Sequence, residues 1–417
     1  MPQFRILHIG DNIKYNHDVY ARFSSEFEII QPSAEERERE EFMRALKERR
    51  WGDFHAIFRP FWNTGGEMGR WDRELIPLLP KSVKIMASAG AGYDWADVDV
   101  FAEHGMSSFV YFLFGFLLAF SGNGCTPVKA EECTVIGDTV ILWGKKTNPQ
   151  VWGKQTDRQT DRKDSQLIMN EITGIIYCNG AAASSESVAD MTIFLILSVF
   201  RNLAWSHQAA HSANPQAFAD AHKNSPLTAR NPRNHVLGII GLGQIGYMIA
   251  QKAHAAFGMK IAYHDLFRKS PEQESRVGAT YYKDLESLLA DADCVVVATP
   301  FAGKTLLTLE RFRQFKKGAR FINIARGSLV DEEALVQVLD EGHLAAAGLD
   351  VHANEPYVHP RLVKHPRVMA MSHNAGGTVD THIGFERLAM ENIEGFLLKG
   401  KALTPVNAHL LKSKSSL

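Results

Sequence analysis

HVLGIIGLGQIGYMIAQKAHAAFGMKIAYHD, residues 235–265, decides the fold class. A β-branched run (236–240) enters GLGQIG, an apolar helix (247–257) leaves it, and a second strand (260–265) follows. A GxGxxG string alone is weak evidence, but the strand–turn–helix–strand context is that of a dinucleotide-binding unit. Gly241 permits the tight turn, Gly243 lets the backbone approach a pyrophosphate, and Gly246 lets helix and strand pack closely. The phosphates would lie on the helix N-terminus, where unpaired N–H groups and the dipole favour anions. Asp265 stands 19 positions beyond the third glycine, where a carboxylate accepts ribose hydroxyls and repels a 2′-phosphate. NAD is therefore the expected cofactor, with NADP kept open because Arg268 and Lys269 lie just behind.

Working outward, strand patterns alternate with helical ones along most of the chain, the signature of parallel α/β architecture. Strands are expected at 5–10, 55–61, 83–89 and 175–179, with a charged helix over 34–50. A second set is expected at 236–240, 260–265, 294–298, 320–324, 345–351 and 368–371. Two sheets with separate helix sets imply two doubly wound domains. The stretch 186–203 (ESVADMTIFLILSVFRNL) is apolar nearly all round, so it must be buried on several sides or against a second subunit.

Composition excludes several classes. The 417 residues carry 46 basic and 47 acidic side chains, giving no electrostatic reason to seek nucleic acid or an anionic membrane. Cys125, Cys133, Cys178 and Cys294 show neither zinc spacing nor a disulfide framework, so no metal and a reducing, cytoplasmic setting are expected. The opening MPQFRILHIG reads as a strand rather than a signal peptide. The longest apolar run, 109–120 (FVYFLFGFLLAF), has 12 residues, against the ~18 of a membrane span.

One segment does not fit. The helix over 95–104 stops at Gly105, yet the next strand begins some seventy residues later, far beyond an ordinary connection. Residues 106–174 lack a sustained period and contain the tandem repeat QTDR-QTDR (155–162), a translated CAGA tetranucleotide in one codon choice. The junctions Gly105-Met106 and Thr173-Gly174 can be encoded with a GTATG donor and a CAG acceptor. Excision would remove 69 residues in frame and leave 348. The segment reads as a translated intron or a foreign insertion.

Three polar residues sit just beyond strand ends in the second half, the edge where open α/β sheets bind ligands. They are Arg326 in NIARGSLVDEEAL, Glu355 in LDVHANEP and His373 in SHNAGG. An arginine clamps a carboxylate and keto oxygen, a histidine donates a proton near neutral pH, and a neighbouring glutamate orients it. That set suits hydride transfer to a 2-keto acid.

These motifs, with SAGAGYDWADVDV (88–100) and SSESVADMT (184–192), resemble those of the D-isomer-specific 2-hydroxyacid dehydrogenases. The match looks closest to fungal members of the D-mandelate dehydrogenase kind. The resemblance implies a catalytic triad of Arg326, Glu355 and His373. It places cofactor contacts at Thr192, Gln244, Ile245, Asp265, Thr299, Pro300, Ile324 and Asp350, and at the turn His373, Asn374, Ala375 and Gly376. Substrate contacts fall on the amides of Ala91 and Gly92, on Arg59 and on the aromatics Phe61 and Trp62. It also implies a flavodoxin-like substrate domain, residues 1–180 (interrupted by 106–174), and a Rossmann NAD domain, 181–375. The C-terminal helix of 376–417 returns to the substrate domain, the active site lies in the cleft, and a homodimer is expected. The expected activity is interconversion of a 2-keto acid, bulky or aromatic, and a D-2-hydroxy acid. The alternatives are an NAD-sensing corepressor-like binding protein, or a chain inactivated by 106–174.

Overall fold

Parallel strands buried on both faces call for mostly apolar residues, and the short runs of this chain supply them, with buried polar residues such as His8, Arg59, Ser88 and Asn323 at strand ends. The computed structural model describes residues 4–61, 68–104, 172–301 and 303–413. In chain order its strands are β1 (Arg5–His8), β2 (Glu28–Ile30), β3 (Ala56–Arg59), β4 (Ile85–Ser88), β5 (Ile172–Thr173) and β6 (Ile176–Cys178). They continue as β7 (Val236–Ile240), β8 (Lys260–His264), β9 (Ala279–Tyr281), β10 (Cys294–Val297), β11 (Ala319–Asn323), β12 (Leu344–Leu349), β13 (Val368–Ala370) and β14 (Lys412–Ser413).

Two parallel sheets result. One runs β2-β1-β3-β4-β6, the flavodoxin-like order, and the other β13-β12-β11-β10-β7-β8-β9, a Rossmann order with one added strand. β5 and β14 form a separate antiparallel pair. Most expected strands lose a residue or two at their carboxyl ends, which leave the ladder to become loops. β2, β9 and the helix His17–Glu26 were not anticipated. The helix expected over 95–104 begins only at Val98, and that over 34–50 divides into a 3-10 turn (Glu35–Arg37) and the helix Arg39–Lys47.

Side chains alternate between two cores across the first sheet. Leu7, Ile57, Met86 and Tyr177 face one core. Ile6, Phe58, Ile85 and Ile176 face the other, where Ala389, Met390, Ile393 and Phe396 of the helix Val379–Lys399 cover them. That burial explains why the chain returns after finishing the second sheet. Glu386 of the same helix, 4% exposed, accepts backbone N–H bonds from Lys14, Tyr15 and Asn16 at 2.8–3.1 Å.

The helix Ala181–Arg201 is long and apolar enough to cross a membrane, as length and composition go. Packing accounts for that character: it lies against the helix Gln244–Phe257, β12 and the helix Val379–Lys399. Residues 105–171, nearly all of the segment read as foreign, lie outside the described residues. Its two flanks meet, because the Ile175 amide donates to the Phe101 carbonyl at 2.7 Å. A Cβ on Gly174 would stand 2.3 Å from the Ala102 oxygen.

His8 ends β1 in full burial, its ring nitrogens 3.0 Å from the Tyr20 hydroxyl and the Asp11 carbonyl. Burial drives its pKa down to about 4. The unfolded chain therefore binds this proton near pH 6.5 while the folded one does not, so stability falls as pH drops from 6.5 to 4. At ~1.4 kcal/mol per pH unit the interval amounts to about 3 kcal/mol. Urea unfolding at pH 7, 5.5 and 4.5 should show this loss, and His8→Gln should flatten it; an equal slope in the variant would exclude His8 as its source.

Candidate active site

The carboxyl ends of β7 and β10 are neighbours across the point where strand order reverses, and the glycine turn sits there. Gly241 has φ +93°, and a Cβ on it would come within 2.9 Å of the Ala298 carbonyl oxygen. A Cβ on Gly246 would be 2.1 Å from the Gly241 oxygen, whereas one on Gly243 meets nothing within 4 Å. The turn is thus closed beneath and open above. The helix Gln244–Phe257 starts with no side-chain cap, leaving its first amides facing that opening. This cradle fits the pyrophosphate of a dinucleotide.

Asp265 follows β8 and receives the Leu242 amide at 2.9 Å. Lys269 Nζ lies 3.5 Å from the same carboxylate. Arg268, expected to weaken the preference for NAD, is instead clamped by Glu274 through two 2.9 Å bonds. Thr299 and Pro300 follow β10 at the cradle's rim, and Ile324 follows β11. Thr192 is fully buried, and its hydroxyl bonds the Val188 carbonyl at 2.7 Å.

Arg326, Glu355 and His373 stand in the loops after β11, β12 and β13, three adjacent strands. Asn323 braces the first loop, accepting from the Ala325 amide and donating to the Arg326 carbonyl. The first two loops touch: a Cβ on Gly327 would fall 1.9 Å from the His352 carbonyl carbon. Glu355 uses both oxygens, one receiving the His352 amide at 2.9 Å and the other 2.8 Å from His373 Nδ1. Partial burial works to raise the Glu355 pKa, but the bonds from His373 and the His352 amide outweigh it and hold the carboxyl below the ordinary range. An ionised Glu355 fixes the proton on Nδ1 and leaves Nε2 as the outward nitrogen.

His373 has φ +53°, a left-handed conformation uncommon for a non-glycine residue. Asp350, 2% exposed, imposes it. Its carbonyl accepts the His373 amide, and its carboxylate accepts those of Asn374 and Ala375 at 3.0–3.1 Å. Gly376 closes the turn, with a virtual Cβ only 3.5 Å from Val188.

The first sheet contributes the loop 90–94, tied down by Asn179 Nδ2 on the Ala91 carbonyl and by the Gly180 amide on the Gly90 carbonyl. Its tip reaches the second sheet's site. Arg326 Nε and Nη2 donate to Asp94 Oδ1 at 3.0 and 2.9 Å, and Nη1 donates to the Ala325 carbonyl at 2.8 Å. A Cβ on Gly92 would lie 1.5 Å from Nη2, so no larger residue fits while the arginine holds this pose.

Arg59, expected on the substrate side, is 4% exposed, with its guanidinium 4.2 Å from the Trp95 ring centroid and Nη1 3.4 Å from Ser88 Oγ. Phe61 packs its ring 4.3 Å from that of His382. Trp62 lies outside the described residues. Asp94, the Asp that ends GAGYD, and Asn323, the Asn that opens NIARG, join the site although the motifs alone assign them no role.

The D-isomer specific 2-hydroxyacid dehydrogenase NAD binding domain matches residues 193–375. The 4-methyl-2-oxopentanoate reductase A of Aspergillus oryzae is 31% identical over 371 residues, 88% of this chain and 88% of that protein. Glyoxylate reductase of Thermococcus kodakarensis is 33% identical over 241 residues, 57% of this chain and 72% of that protein. Among solved structures, apo D-mandelate dehydrogenase of Rhodotorula graminis superposes with TM-score 0.76 and 32% identity, covering 97% of this chain and 98% of that one. Likeness of this extent, over nearly the whole of the chain, makes it a member of the D-isomer specific 2-hydroxyacid dehydrogenase family.

Proposed function

We propose that the chain reduces a 2-keto acid to the D-2-hydroxy acid, reversibly, with Arg326, Glu355 and His373 as its catalytic residues. The observation that carries this is the His373–Glu355 pair at 2.8 Å, one loop from Arg326 and at the same sheet edge as the dinucleotide cradle. The glycine turn and Asp265 would hold the dinucleotide, which as NADH would supply a hydride to C2 of the substrate and as NAD⁺ would take it back in the reverse direction. Arg326 draws in the carboxylate and keto oxygen and stabilises the developing alkoxide. His373 delivers the proton from Nε2, and Glu355 holds the ring in place and balances its charge. The amides of Ala91 and Gly92 meet the substrate carboxylate from the other sheet.

A bulky or aromatic substrate is favoured. Phe61 and Trp62 follow the strand that carries Arg59, and burying a larger apolar group yields more binding energy, ~25 cal/mol per Å². The names of two relatives, a 4-methyl-2-oxopentanoate reductase and a D-mandelate dehydrogenase, point the same way. A cytoplasmic homodimer completes the reading. Phe194, Phe218 and Leu227, 39–74% exposed on one stretch of helices, support a subunit contact there.

A panel of glyoxylate, hydroxypyruvate, branched 2-keto acids and phenylglyoxylate, read by NADH oxidation, tests the proposal. The larger substrates should give the higher kcat/KM, and His373→Ala should lower kcat by roughly 10²–10⁴-fold with NADH affinity unchanged. Intact NADH binding without turnover on any substrate would instead favour the corepressor-like reading. For the cofactor, Asp265→Ser should narrow the NADH preference, and adding Glu274→Ala should narrow it further by releasing Arg268. A wild-type preference for NADPH would defeat the argument from Asp265.

We further infer that 106–174 is a translated intron. The meeting of its flanks, Phe101 with Ile175, supports this, since a short connection would join them. Sequencing the mature transcript across codons 100–180 should show the segment absent. Its presence in most transcripts, with loss of folding on deletion, would end the idea.

A further inference from the structure

We propose that Asp94 is a positioning residue that dictates which edge of the Arg326 guanidinium meets the substrate. The inference rests on the keto-acid reading above. A guanidinium carries five N–H donors in a fixed plane. Nε–H and the adjacent Nη2–H both point at Asp94 Oδ1, at 3.0 and 2.9 Å. The backward-facing N–H of Nη1 is held by the arginine's own chain, at the Ala325 carbonyl, 2.8 Å away. Two donors remain, one on each terminal nitrogen, and in a planar fork these are the parallel pair at its tip.

One carboxylate oxygen and the neighbouring keto oxygen of a 2-keto acid accept such a pair, one N–H each. The tip also lies against the loop 90–94, because Gly92 approaches Nη2 so closely that it has no room for a side chain. One substrate carboxylate can therefore meet the arginine tip and the loop amides together. Asp94 sets this up from across the cleft, since it follows β4 of the first sheet while Arg326 follows β11 of the second. Partial burial works to raise the Asp94 pKa, but the bonds and charge of Arg326 outweigh it, so the carboxyl stays ionised.

The rival role is a plug: Asp94 would occupy the edge that the substrate needs and leave when it binds. The two roles predict opposite changes in KM. Steady-state NADH oxidation by the full chain, with the best 2-keto acid of the panel, separates them. Asp94→Asn should raise KM for the keto acid by about 10- to 100-fold, the range for a hydrogen bond to a charged group, with a smaller fall in kcat. NADH affinity and melting temperature should not change. Asp94→Glu, which keeps the charge, should recover part of the lost KM. An unchanged or lowered KM in Asp94→Asn, beside an active wild type, overturns the positioning role alone. A wild type inactive on the whole panel overturns the functional reading beneath it.

Discussion

The carboxylate of Asp350 holds the site together. It lies at the end of β12, nearly out of reach of solvent, and accepts the amides of Asn374 and Ala375 while its carbonyl takes that of His373. A buried carboxylate needs such donors, because the desolvation of an unpaired charge is prohibitive. The donors come from a turn whose first residue, His373, has φ +53°, a conformation that costs a residue bearing a Cβ ~1 kcal/mol or more. The strain of His373 is thus offset by satisfaction of Asp350. With the backbone bent this way, the imidazole reaches Glu355, and Glu355 in turn closes its own loop through the His352 amide.

Parallel strands add a second constraint. Their carboxyl ends all face one way, so loops from neighbouring strands gather at one edge without any long-range steering. Arg326, Glu355 and His373 come from three consecutive strands, and the glycine turn belongs to the strand two further along. The other sheet presents its own carboxyl edge, with Ser88 and the loop 90–94, to the same cleft. Contact between the two edges runs through the Asp94–Arg326 pair, which makes the arginine's pose a property of both sheets at once.

Residues with a local reason for their place were legible in the sequence. Gly241 and Gly246 make the tight turn and the close packing that their spacing implies, and β7 spans the run expected of it. The strand-following Arg, Glu and His could be placed because a strand end is visible in a β-branched run. Residues whose role depends on a partner far along the chain were not legible. Arg59 could be placed at the end of its strand, but its burial under Trp95 needs a loop 36 positions away. Arg268 is held by Glu274 only six positions on, but the turn between them, not the spacing, brings the two together. Strands of three residues such as β2 and β9 are too short to show a period, and pairing with longer neighbours is what creates them.

The tie between Glu386 and the amides of Lys14, Tyr15 and Asn16 spans some 370 positions, nearly the full chain. On the ribosome, every strand of the seven-stranded sheet, Val236 to Ala370, has been made before that helix is complete. The later-translated half can therefore close its core first. The earlier half, with Ile6, Phe58 and Ile85 awaiting the cover of Met390 and Phe396, keeps an apolar sheet face open until that helix has been made. The N-terminal unit is then the last to bury its sheet face.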